Sequence, residues 1–427
     1  MNIFVNSRQF VWFWVLACFC FGSRFAFSNT YDIGPSQSWK KLSDVVGRLE
    51  AGDRVRIHPG TYKDVCKIKA KGTADKPIVI KGVGETMPVF DAEGMNVSGR
   101  GPIPRAILQI EGSHIIIENL ELKNARNGNN GAGIRLLQSK FATLRNCRIH
   151  HCDMGIQGGD RERVLIEHCD IGFNSTSEHN GYAHNFYMLG NRVTVRHCYI
   201  HDSLYGQNYK SRAHYNALFY NWIVDSNEGE IGPVDGKGAT DRPNSHTVMI
   251  GNVIVSKPNR TGNNAKYILM GSELGGSHVG TLFMFFNVLI AGDPKIKFIQ
   301  LDDPQTDCVA KYNIFYGSEQ ILKKRDAKSE ARGGHNWFPK TAAIPSGFTD
   351  SLTGRQPGFY DVGQRDFRLK PNSPFWRFQA TRIEYIDGDG KREARDIDLH
   401  ALQKYWKEHP KIKMEETTSG IGMFMLE

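Results

Sequence analysis

Short runs in which apolar and polar residues alternate recur along most of the chain, each followed by one cysteine or asparagine and a second apolar run. Alternation of this kind predicts half-buried β-strands rather than helices. The cysteine or asparagine returns at intervals of roughly 22–35 residues, a period typical of solenoids. Because such a unit is too short to bury its own apolar face, we expect the units to stack as successive rungs. The marked positions are Asn119, Cys147, Cys169, Cys198, Asn221, Asn252, Asn287 and Asn313.

The marked residues occupy equivalent places in their rungs, so we expect them to form an inward column of small side chains. Asparagines stacked in this way bond their amides from rung to rung. Neighbouring members would lie about 4.8 Å apart, which permits a disulfide between two cysteines without requiring one. The cysteines do not have the spacing of a zinc site.

Amphipathic segments flank the repeats. Residues 38–49 predict a short helix that caps the N-terminal end, with apolar side chains at Leu42, Val45, Val46 and Leu49. Residues 394–410 predict a second helix that serves as a C-terminal cover, with apolar side chains at Ile397, Leu399, Leu402 and Tyr405. Residues 318–350 are rich in Gly, Lys and Ser and are interpreted as a loop.

The beginning of the chain has the pattern of a secretory signal peptide. Arg8 precedes an apolar run that is short for a membrane span, and Ala26 and Ser28 form a small-x-small cleavage site. An uncleaved membrane anchor is the alternative. We therefore predict a signal peptide at 1–28, a solenoid domain at 29–380, and a C-terminal tail with a capping helix at 381–427.

The chain carries a net charge of +9. Removal of the leader, which contains Arg8 and Arg24 and no acid, leaves about +7. A basic, exported, repetitive protein favours an acidic partner outside the cytoplasm, although the charge can also serve solubility alone. We expect a secreted or periplasmic monomer that binds an acidic polysaccharide, with no nucleic-acid partner and no stable membrane insertion after leader removal.

One strand combines two cations. If Tyr209 and Ser211 face the core, alternation places Lys210 and Arg212 on the outer face. The same rule applied to neighbouring rungs predicts an outer strip of polar side chains, with Asn185, Tyr187, Asn208, Glu230, Tyr267 and Glu273. Amides, aromatic rings, cations and carboxylates on one strip are typical of a sugar-binding groove.

Two phrases carry a resemblance to known proteins. LEAGDRVRIHPGTY, starting at Leu49, is similar to the first-rung phrase of right-handed parallel β-helix proteins of the pectate-lyase-like class. GQNYKSRAHYNALFYNWIVD, starting at Gly206, resembles the chondroitinase B and alginate lyase family of polysaccharide lyases, and also secreted β-helix repeat proteins of unassigned activity. The resemblance implies an all-β, right-handed parallel β-helix over most of residues 32–380. It also implies that Lys210 is the catalytic lysine.

β-Elimination from a uronate requires a group that neutralises the carboxylate, a base that removes the neighbouring proton, and an acid for the leaving oxygen. Arg212 suits the first role because a guanidinium pairs with a carboxylate in bidentate fashion. Lys210 suits the second because burial and a nearby cation lower a lysine pKa. Tyr187 and His184 are expected to assist proton transfer. The predicted substrate-binding residues are Asn185, Asn208, Glu230, Asp235, Tyr267 and Glu273.

The sequence departs from the lyase pattern in two places. The family has a carboxylate shortly before the Lys-Ser pair that helps to hold calcium, whereas residues 204–207 are Leu, Tyr, Gly and Gln here. The family also has an arginine on the next rung, and residues 228–238 contain none. Calcium is therefore left open as a cofactor, and no metal ligands are predicted.

Other functions remain open on the same scaffold. Glu230 with Asp235, or Glu230 with Glu273, would provide the two carboxylates of a glycoside hydrolase. A uronate epimerase would use the base and acid of a lyase without breaking the chain. Lys210 and Arg212 could also only attract an anionic chain, as in a non-catalytic carbohydrate-binding protein.

Overall fold

A computed structural model describes residues 28–260 and 266–409. Within these ranges it contains one α-helix, α1 (Leu399–Lys407), and 3₁₀ turns at Leu42–Asp44, Ser177–His179 and Pro374–Phe378. The strands are β1 (Thr30–Ile33), β2 (Arg54–Ile57), β3 (Thr61–Tyr62), β4 (Cys66–Ile68), β5 (Ile78–Gly82), β6 (Val89–Asp91), β7 (Ala106–Ile110), β8 (Ile115–Glu118), β9 (Glu121–Lys123), β10 (Ala132–Ser139), β11 (Ala142–Arg145), β12 (Arg148–His150), β13 (Met154–Glu167), β14 (Asp170–Gly172), β15 (Phe186–Arg196), β16 (Tyr199–His201), β17 (Tyr209–Ser211), β18 (Tyr215–Phe219), β19 (Trp222–Val224), β20 (Ile231–Pro233), β21 (Thr247–Ile250), β22 (Val253–Val255), β23 (Lys266–Met270), β24 (Gly280–Phe285), β25 (Val288–Ile290), β26 (Lys297–Leu301), β27 (Thr306–Lys311), β28 (Ile314–Tyr316), β29 (Gln320–Lys324), β30 (Ala331–Gly334), β31 (Trp337–Pro339), β32 (Phe348–Thr349), β33 (Leu352–Gly354), β34 (Phe359–Asp361), β35 (Asp366–Leu369), β36 (Ala380–Ile386) and β37 (Arg392–Asp398).

The strands form three parallel ladders that run the length of a coil. One ladder runs from β2 through β5, β8 and β11 to β32, and a second runs from β4 through β7 and β10 to β29. The long strands β13 and β15 belong to both and join them into one sheet. The third ladder contains the short strands from β3 to β33. Each turn of the coil thus contributes one segment to each of three faces, which is a parallel β-helix.

Alternation in the sequence produces this coil because one side of every ladder faces a shared interior. In β5 and β8 every second residue is buried, as a half-buried strand requires. The inward isoleucines, leucines and valines of successive rungs stack into one continuous apolar core. A single core extended by repetition needs no separate globular domain.

The predicted column of marked residues exists. The Sγ atom of Cys198 accepts a hydrogen bond from the backbone N–H of Cys169 at 3.4 Å. The backbone N–H of Cys198 donates in turn to the amide oxygen of Asn221 at 2.9 Å. From there the asparagine side chains bond rung to rung at 2.8–3.0 Å. The ladder members are Asn221, Asn252, Asn287, Asn313 and Asn336. The described cysteines are free and buried.

Asn119 was wrongly assigned to this column. It has a φ of 55°, in the left-handed region where asparagine is tolerated. Because Glu118 pairs with Arg145, the residue equivalent to Cys147 is the next one, Leu120. The same left-handed bend precedes the column at Asn146, His168 and His197. Asparagine suits both the bend and the column, so its identity alone did not fix the register.

The N-terminal cap is shorter than predicted. The helix expected over residues 38–49 is only the 3₁₀ turn Leu42–Asp44, but Leu42, Val45 and Leu49 are buried in the core as expected. The loop predicted for 318–350 was wrong, because β29 to β32 continue the ladders there. Their glycines serve close packing: a Cβ on Gly333 would lie 1.9 Å from a backbone oxygen.

The C-terminal cover lies along the flank of the coil. Residues 359–407 pack onto outward aromatic and aliphatic side chains of the later rungs and form a second apolar cluster. Trp406 of α1 is fully buried, whereas Tyr405, predicted on the apolar side, is only partly buried. Trp222 donates its indole N–H to the Tyr405 carbonyl at 2.6 Å, and Arg365 pairs with both oxygens of Asp225 at 2.7 Å. We call residues 359–407 the flank segment.

The predicted domain limits stay predictions. The last strand of the three ladders is β33, ending at Gly354. The signal peptide predicted at 1–28 and the end of the tail beyond 409 lie outside the described residues, and both stay predictions. In the described part of the chain, helices long and apolar enough to cross a membrane are absent.

Candidate functional site

Strand β17 orients its side chains as alternation predicts. Tyr209 and Ser211 face the interior, where both hydroxyls donate to the amide oxygen of Asn216, at 2.7 and 2.6 Å. Lys210 and, just beyond the strand, Arg212 therefore lie on the outer side.

A single carboxylate bridges the two cations. Lys210 donates from Nζ to Oε1 of Glu273, and Arg212 donates from Nη2 to Oε2 of the same residue at 2.6 Å. The Lys210 side chain is only 4% exposed, whereas that of Glu273 is 31% exposed. The two cations thus form a carboxylate-binding site whose occupant is open to solvent.

Tyr187 stands next to this site. It is the neighbour of Lys210 in the β15–β17 register, and its hydroxyl oxygen accepts the Nε–H of Arg212 at 3.0 Å. Because Arg212 uses a lone pair of that oxygen, the phenolic proton is free to point away from the arginine.

Asp235 builds the loop that carries Glu273. One carboxylate oxygen accepts the backbone N–H of Glu273 at 2.6 Å, and the other accepts that of Gly276 at 2.9 Å. Arg212 approaches from the other side, donating to the backbone carbonyl of Asp235. A cavity of about 320 Å³ opens beside these groups, lined by Arg212, Asp235, Gly236, Lys237, Asp241, Leu274, Gly275, Gly276 and Ser277.

The electrostatics of the cluster favour a lysine that gives up its proton easily. Burial lowers the pKa of Lys210, and Arg212 lowers it further, while the Glu273 carboxylate opposes both. Burial alone would raise the pKa of Asp235, but hydrogen bonds from the backbone N–H groups of Glu273, Leu274 and Gly276 outweigh it and lower the pKa. Asp235 is therefore a fixed anion.

His184 lies behind Tyr187, with ring centroids 5.7 Å apart. Its Nδ1 accepts the backbone N–H of Gln207 at 3.0 Å, so any proton of the neutral ring is on Nε2. Burial, followed by Lys210 and Arg212, holds the pKa of His184 well below its ordinary value. The imidazole is therefore a neutral group that holds the backbone at Gln207, two residues before β17.

The outward orientation predicted for Asn185, Asn208 and Glu230 was wrong. Asn185 donates to the amide oxygen of Asn208 at 2.8 Å, and Asn208 donates to Glu230 at 2.7 Å. Arg260 closes this second internal ladder on Glu230 at 3.1 Å. All three predicted residues have no exposed surface. They precede β15, β17 and β20 by one residue, in bends where alternation does not apply.

Tyr267 was also predicted to face outward and is fully buried. Its ring packs edge-on against Phe298 at 5.3 Å, and its hydroxyl accepts the amide of Ile290 at 3.1 Å. The residue belongs to the corner of the core because its hydroxyl finds backbone partners there.

Burial of Glu230 separates it from the outer cluster. Burial raises its pKa to about 8, and the nearby Arg260 opposes that shift. Neither Glu230 with Asp235 nor Glu230 with Glu273 presents two carboxylates to one substrate.

Sequence reasoning missed Gln157, Lys237 and Leu274. Gln157 occupies the position in β13 that pairs with Tyr187, which in turn pairs with Lys210, so the three side chains follow one another on the outer face. Alternation in β13 would have revealed this relation. Lys237 and Leu274 come from loops that border the cavity, and no period in the sequence marks them.

Calcium does not fit the residues around Lys210. Both carboxylate oxygens of Glu273 already pair with the side chains of Lys210 and Arg212. Glu230 is buried in the interior, and residues 204–207 include no Asp or Glu. Among the described residues, no group of three or more His, Cys, Asp or Glu side chains is placed to hold a metal.

Comparison with known families decides the handedness of the coil. The sequence model of the family described as "Right handed beta helix region" matches residues 96–238, which include Tyr187, Lys210 and Arg212. The chain is a right-handed parallel β-helix.

Solved structures with this β-helix are similar over most of their length. A pectate lyase, Pel9A, is 12% identical, with 81% of this chain and 90% of that one covered and a TM-score of 0.52. A mannuronic acid specific family 6 polysaccharide lyase from human gut microbiota is 15% identical, covering 77% and 83%, with a TM-score of 0.43. A pectin methylesterase from carrot is 12% identical, covering 78% and 91%, with a TM-score of 0.35.

At 12% identity the likeness to the pectate lyase shows the fold alone. No curated protein matches the β-helix chain at a significant level. One fold can host several reactions, so the reaction has to be argued from the site.

Proposed function

We propose that this protein is a polysaccharide lyase that cleaves a uronate-containing polymer by β-elimination. The observation that carries the proposal is that Lys210 and Arg212 hold one carboxylate between them beside the hydroxyl of Tyr187. A site of this kind accepts the carboxylate of a uronate in place of Glu273. The arrangement then supplies the three groups that the elimination needs.

Arg212 neutralises the substrate carboxylate and thereby makes the proton on the adjacent carbon acidic. Lys210, in its neutral form, removes that proton, and its lowered pKa increases the neutral fraction near neutrality. The C–H electrons form the new C=C bond as the C–O bond to the leaving sugar breaks. Tyr187 protonates the leaving oxygen, and solvent returns a proton to Tyr187 and accepts one from Lys210.

Glu273 has to leave the two cations for this to occur. Its side chain is part-exposed, and it lies on a loop between Gly271 and Gly275, which have φ values of 135° and 83°. Among the described residues, only Asp235 accepts hydrogen bonds from the backbone of Glu273 and the next residue. The carboxylate can therefore swing outward without breaking a strand.

In this mechanism His184 is a positioning residue, because it is buried and bonded to the backbone of Gln207. We further propose that the enzyme acts as a secreted or periplasmic protein, where acidic polysaccharides are found. The basic charge of the chain supports that partner through long-range attraction.

The test is ultraviolet absorbance of unsaturated uronate on a panel of polyuronates, each with and without added calcium. We expect a rise on at least one polymer, and loss of about a hundredfold or more in Lys210→Ala, which lacks the base. Lys323→Ala is the matched control and should remain active. Lys323 is an exposed lysine of β29 that lies at the equivalent position of a later rung.

A flat trace with new reducing ends would indicate hydrolysis and contradict the proposal. A flat trace with altered uronate stereochemistry by NMR would indicate an epimerase. Binding without any chemical change would indicate a non-catalytic carbohydrate-binding protein.

A further inference from the structure

Two arginines on the outer face form no ion pair with any carboxylate in the described part of the chain. Arg135 is in β10, and its described hydrogen-bond partner is the amide oxygen of Gln157. Arg105 precedes β7, and its Nε donates to the backbone carbonyl of Ser98 at 3.3 Å. Within residues 28–260 and 266–409, neither guanidinium forms an ion pair with a carboxylate.

The two charges are close enough to repel. Burial lowers the pKa of Arg135, and the positive charge of Arg105 lowers it further. Their strands are adjacent in the ladder, with Gln109 of β7 beside Arg135. The Gln109 side chain accepts the backbone N–H of Arg105 at 2.9 Å and donates to Glu111 at 2.6 Å. Part-buried like charges without a counter-ion are costly unless a ligand supplies the negative charge.

Arg135 is aligned with the proposed catalytic groups. The register pairs Arg135 with Gln157, Gln157 with Tyr187, and Tyr187 with Lys210. Three strand steps separate Arg135 from Lys210, which is roughly 14 Å along the coil. The side chains between them are an amide and a phenol, both suited to sugar hydroxyls.

We infer that Arg105 and Arg135 form a second anion-binding subsite, which takes a carboxylate or sulfate of the same acidic polysaccharide several sugars away from the site at Lys210. The inference rests on the proposed function for the identity of the polymer but not for its cleavage. It assigns the direction of the bound chain, along the coil and across the strands. It also predicts that long chains bind more tightly than short ones.

The experiment is calorimetric binding of galacturonate and mannuronate oligomers, as disaccharides and as hexasaccharides. In Arg135→Gln, and separately in Arg105→Gln, we expect hexasaccharide affinity to fall about tenfold, the equivalent of one lost charge-assisted contact, with disaccharide affinity at Lys210 unchanged. Arg56→Gln removes an exposed guanidinium of β2 that pairs with Asp32, and it should bind both lengths as the unaltered protein does. Thermal melting establishes that each variant is folded.

Equal hexasaccharide affinity in the unaltered protein and both folded variants would overturn the subsite, as would the absence of binding to every oligomer. If the lyase proposal is wrong but the subsite exists, the polymers would remain intact while hexasaccharide binding would still depend on Arg105 and Arg135. If only one variant folds, its length dependence decides the question. Equal losses for both lengths would mean a general charge effect and would also overturn the inference.

Discussion

Arg212 donates its Nε–H to the hydroxyl oxygen of Tyr187 at 3.0 Å while its Nη2 binds Glu273 at 2.6 Å. One guanidinium thus fixes the proposed acid and the carboxylate-binding position at the same time. The distance between the phenol and the bound carboxylate is set by a rigid planar group, and it does not depend on loop conformation.

Removal of the phenolic proton should slow the reaction more than it weakens binding. For Tyr187→Phe we expect kcat to fall about a hundredfold or more with little change in KM, since the ring still packs but cannot protonate the leaving oxygen. Tyr182→Phe is the control, because Tyr182 is 68% exposed and outside the cluster. A variant that loses affinity but keeps kcat would assign Tyr187 to binding only.

Glu273 should set the pH dependence of the base. Its carboxylate raises the pKa of Lys210 against the effects of burial and Arg212. In Glu273→Gln the pKa of Lys210 therefore falls, and the neutral lysine is present at lower pH. We expect the acid limb of the pH profile of kcat/KM to move to lower pH and KM to fall, because the substrate carboxylate has no competitor.

Glu111→Gln provides the matched control, since Glu111 lies near Lys69 on the same outer face but several strands away. An acid limb that stays in place or moves to higher pH in Glu273→Gln would show that Lys210 is not the titrating base.

The asparagine ladder should be a major source of stability. Asn252 donates to the Leu218 carbonyl and to Asn287, both at 2.8 Å, and accepts from Asn221 at 3.0 Å. Asn252→Ala leaves several of these buried groups without partners, so we expect a loss of about 3 kcal/mol or more in the free energy of unfolding. Asn180→Ala, at an exposed turn, should change stability by less than about 0.5 kcal/mol. Similar denaturation midpoints for the two variants would contradict this assignment.

His201 should make stability depend on pH. Burial alone would lower its pKa, but hydrogen bonds to Asp170 at 2.9 Å and Asp202 at 2.8 Å outweigh it and raise the pKa. A histidine with a raised folded-state pKa contributes stability that is fully present below the unfolded pKa of about 6.5 and lost as pH rises through the folded value.

We therefore expect His201→Asn to lower Tm more at about pH 5.5 than at about pH 8.5, since a smaller fraction of the unaltered imidazole is charged at the higher pH. Thermal melts of both proteins across this range test the prediction. A difference in Tm that is constant or grows with pH would show that the histidine contributes only by packing.

The sequence predicted the coil because each rung repeats one physical requirement, an apolar face that only a neighbour can bury. It also predicted the outer cluster at Lys210 and Arg212, since both belong to a regular stretch in which Tyr209 and Ser211 reach Asn216 inside. The contact between Lys210 and Glu273, which are 63 residues apart in the sequence, was not predicted as such. The sequence predicted only that both side chains belong to the same outer strip.

Alternation failed where the chain turns. Asn185, Asn208 and Glu230 each stand one residue before a strand, so their side chains follow the bend and enter the interior. Their recurrence at the same place in consecutive rungs was the available signal, and the same signal predicted the column asparagines from Asn221 to Asn313. The flank segment was predicted to cover the coil, but its position on the coil was not predicted. The outward side chains of Trp222 and Phe219 that it buries do not indicate in the sequence which segment packs on them.

The flank segment divides the coil into two halves that differ in how they can change length. From Arg192, which binds Asp387 at 2.7 Å, to Trp337, outward side chains of the later rungs pack against the flank segment. A rung inserted there would shift every following rung by one strand spacing against that segment. Among the described residues, rungs before β15 have no such partner, so we expect duplication or loss of a repeat to be tolerated on the Arg135 side. The binding face can therefore lengthen during evolution at that end while the groups around Lys210 keep their geometry.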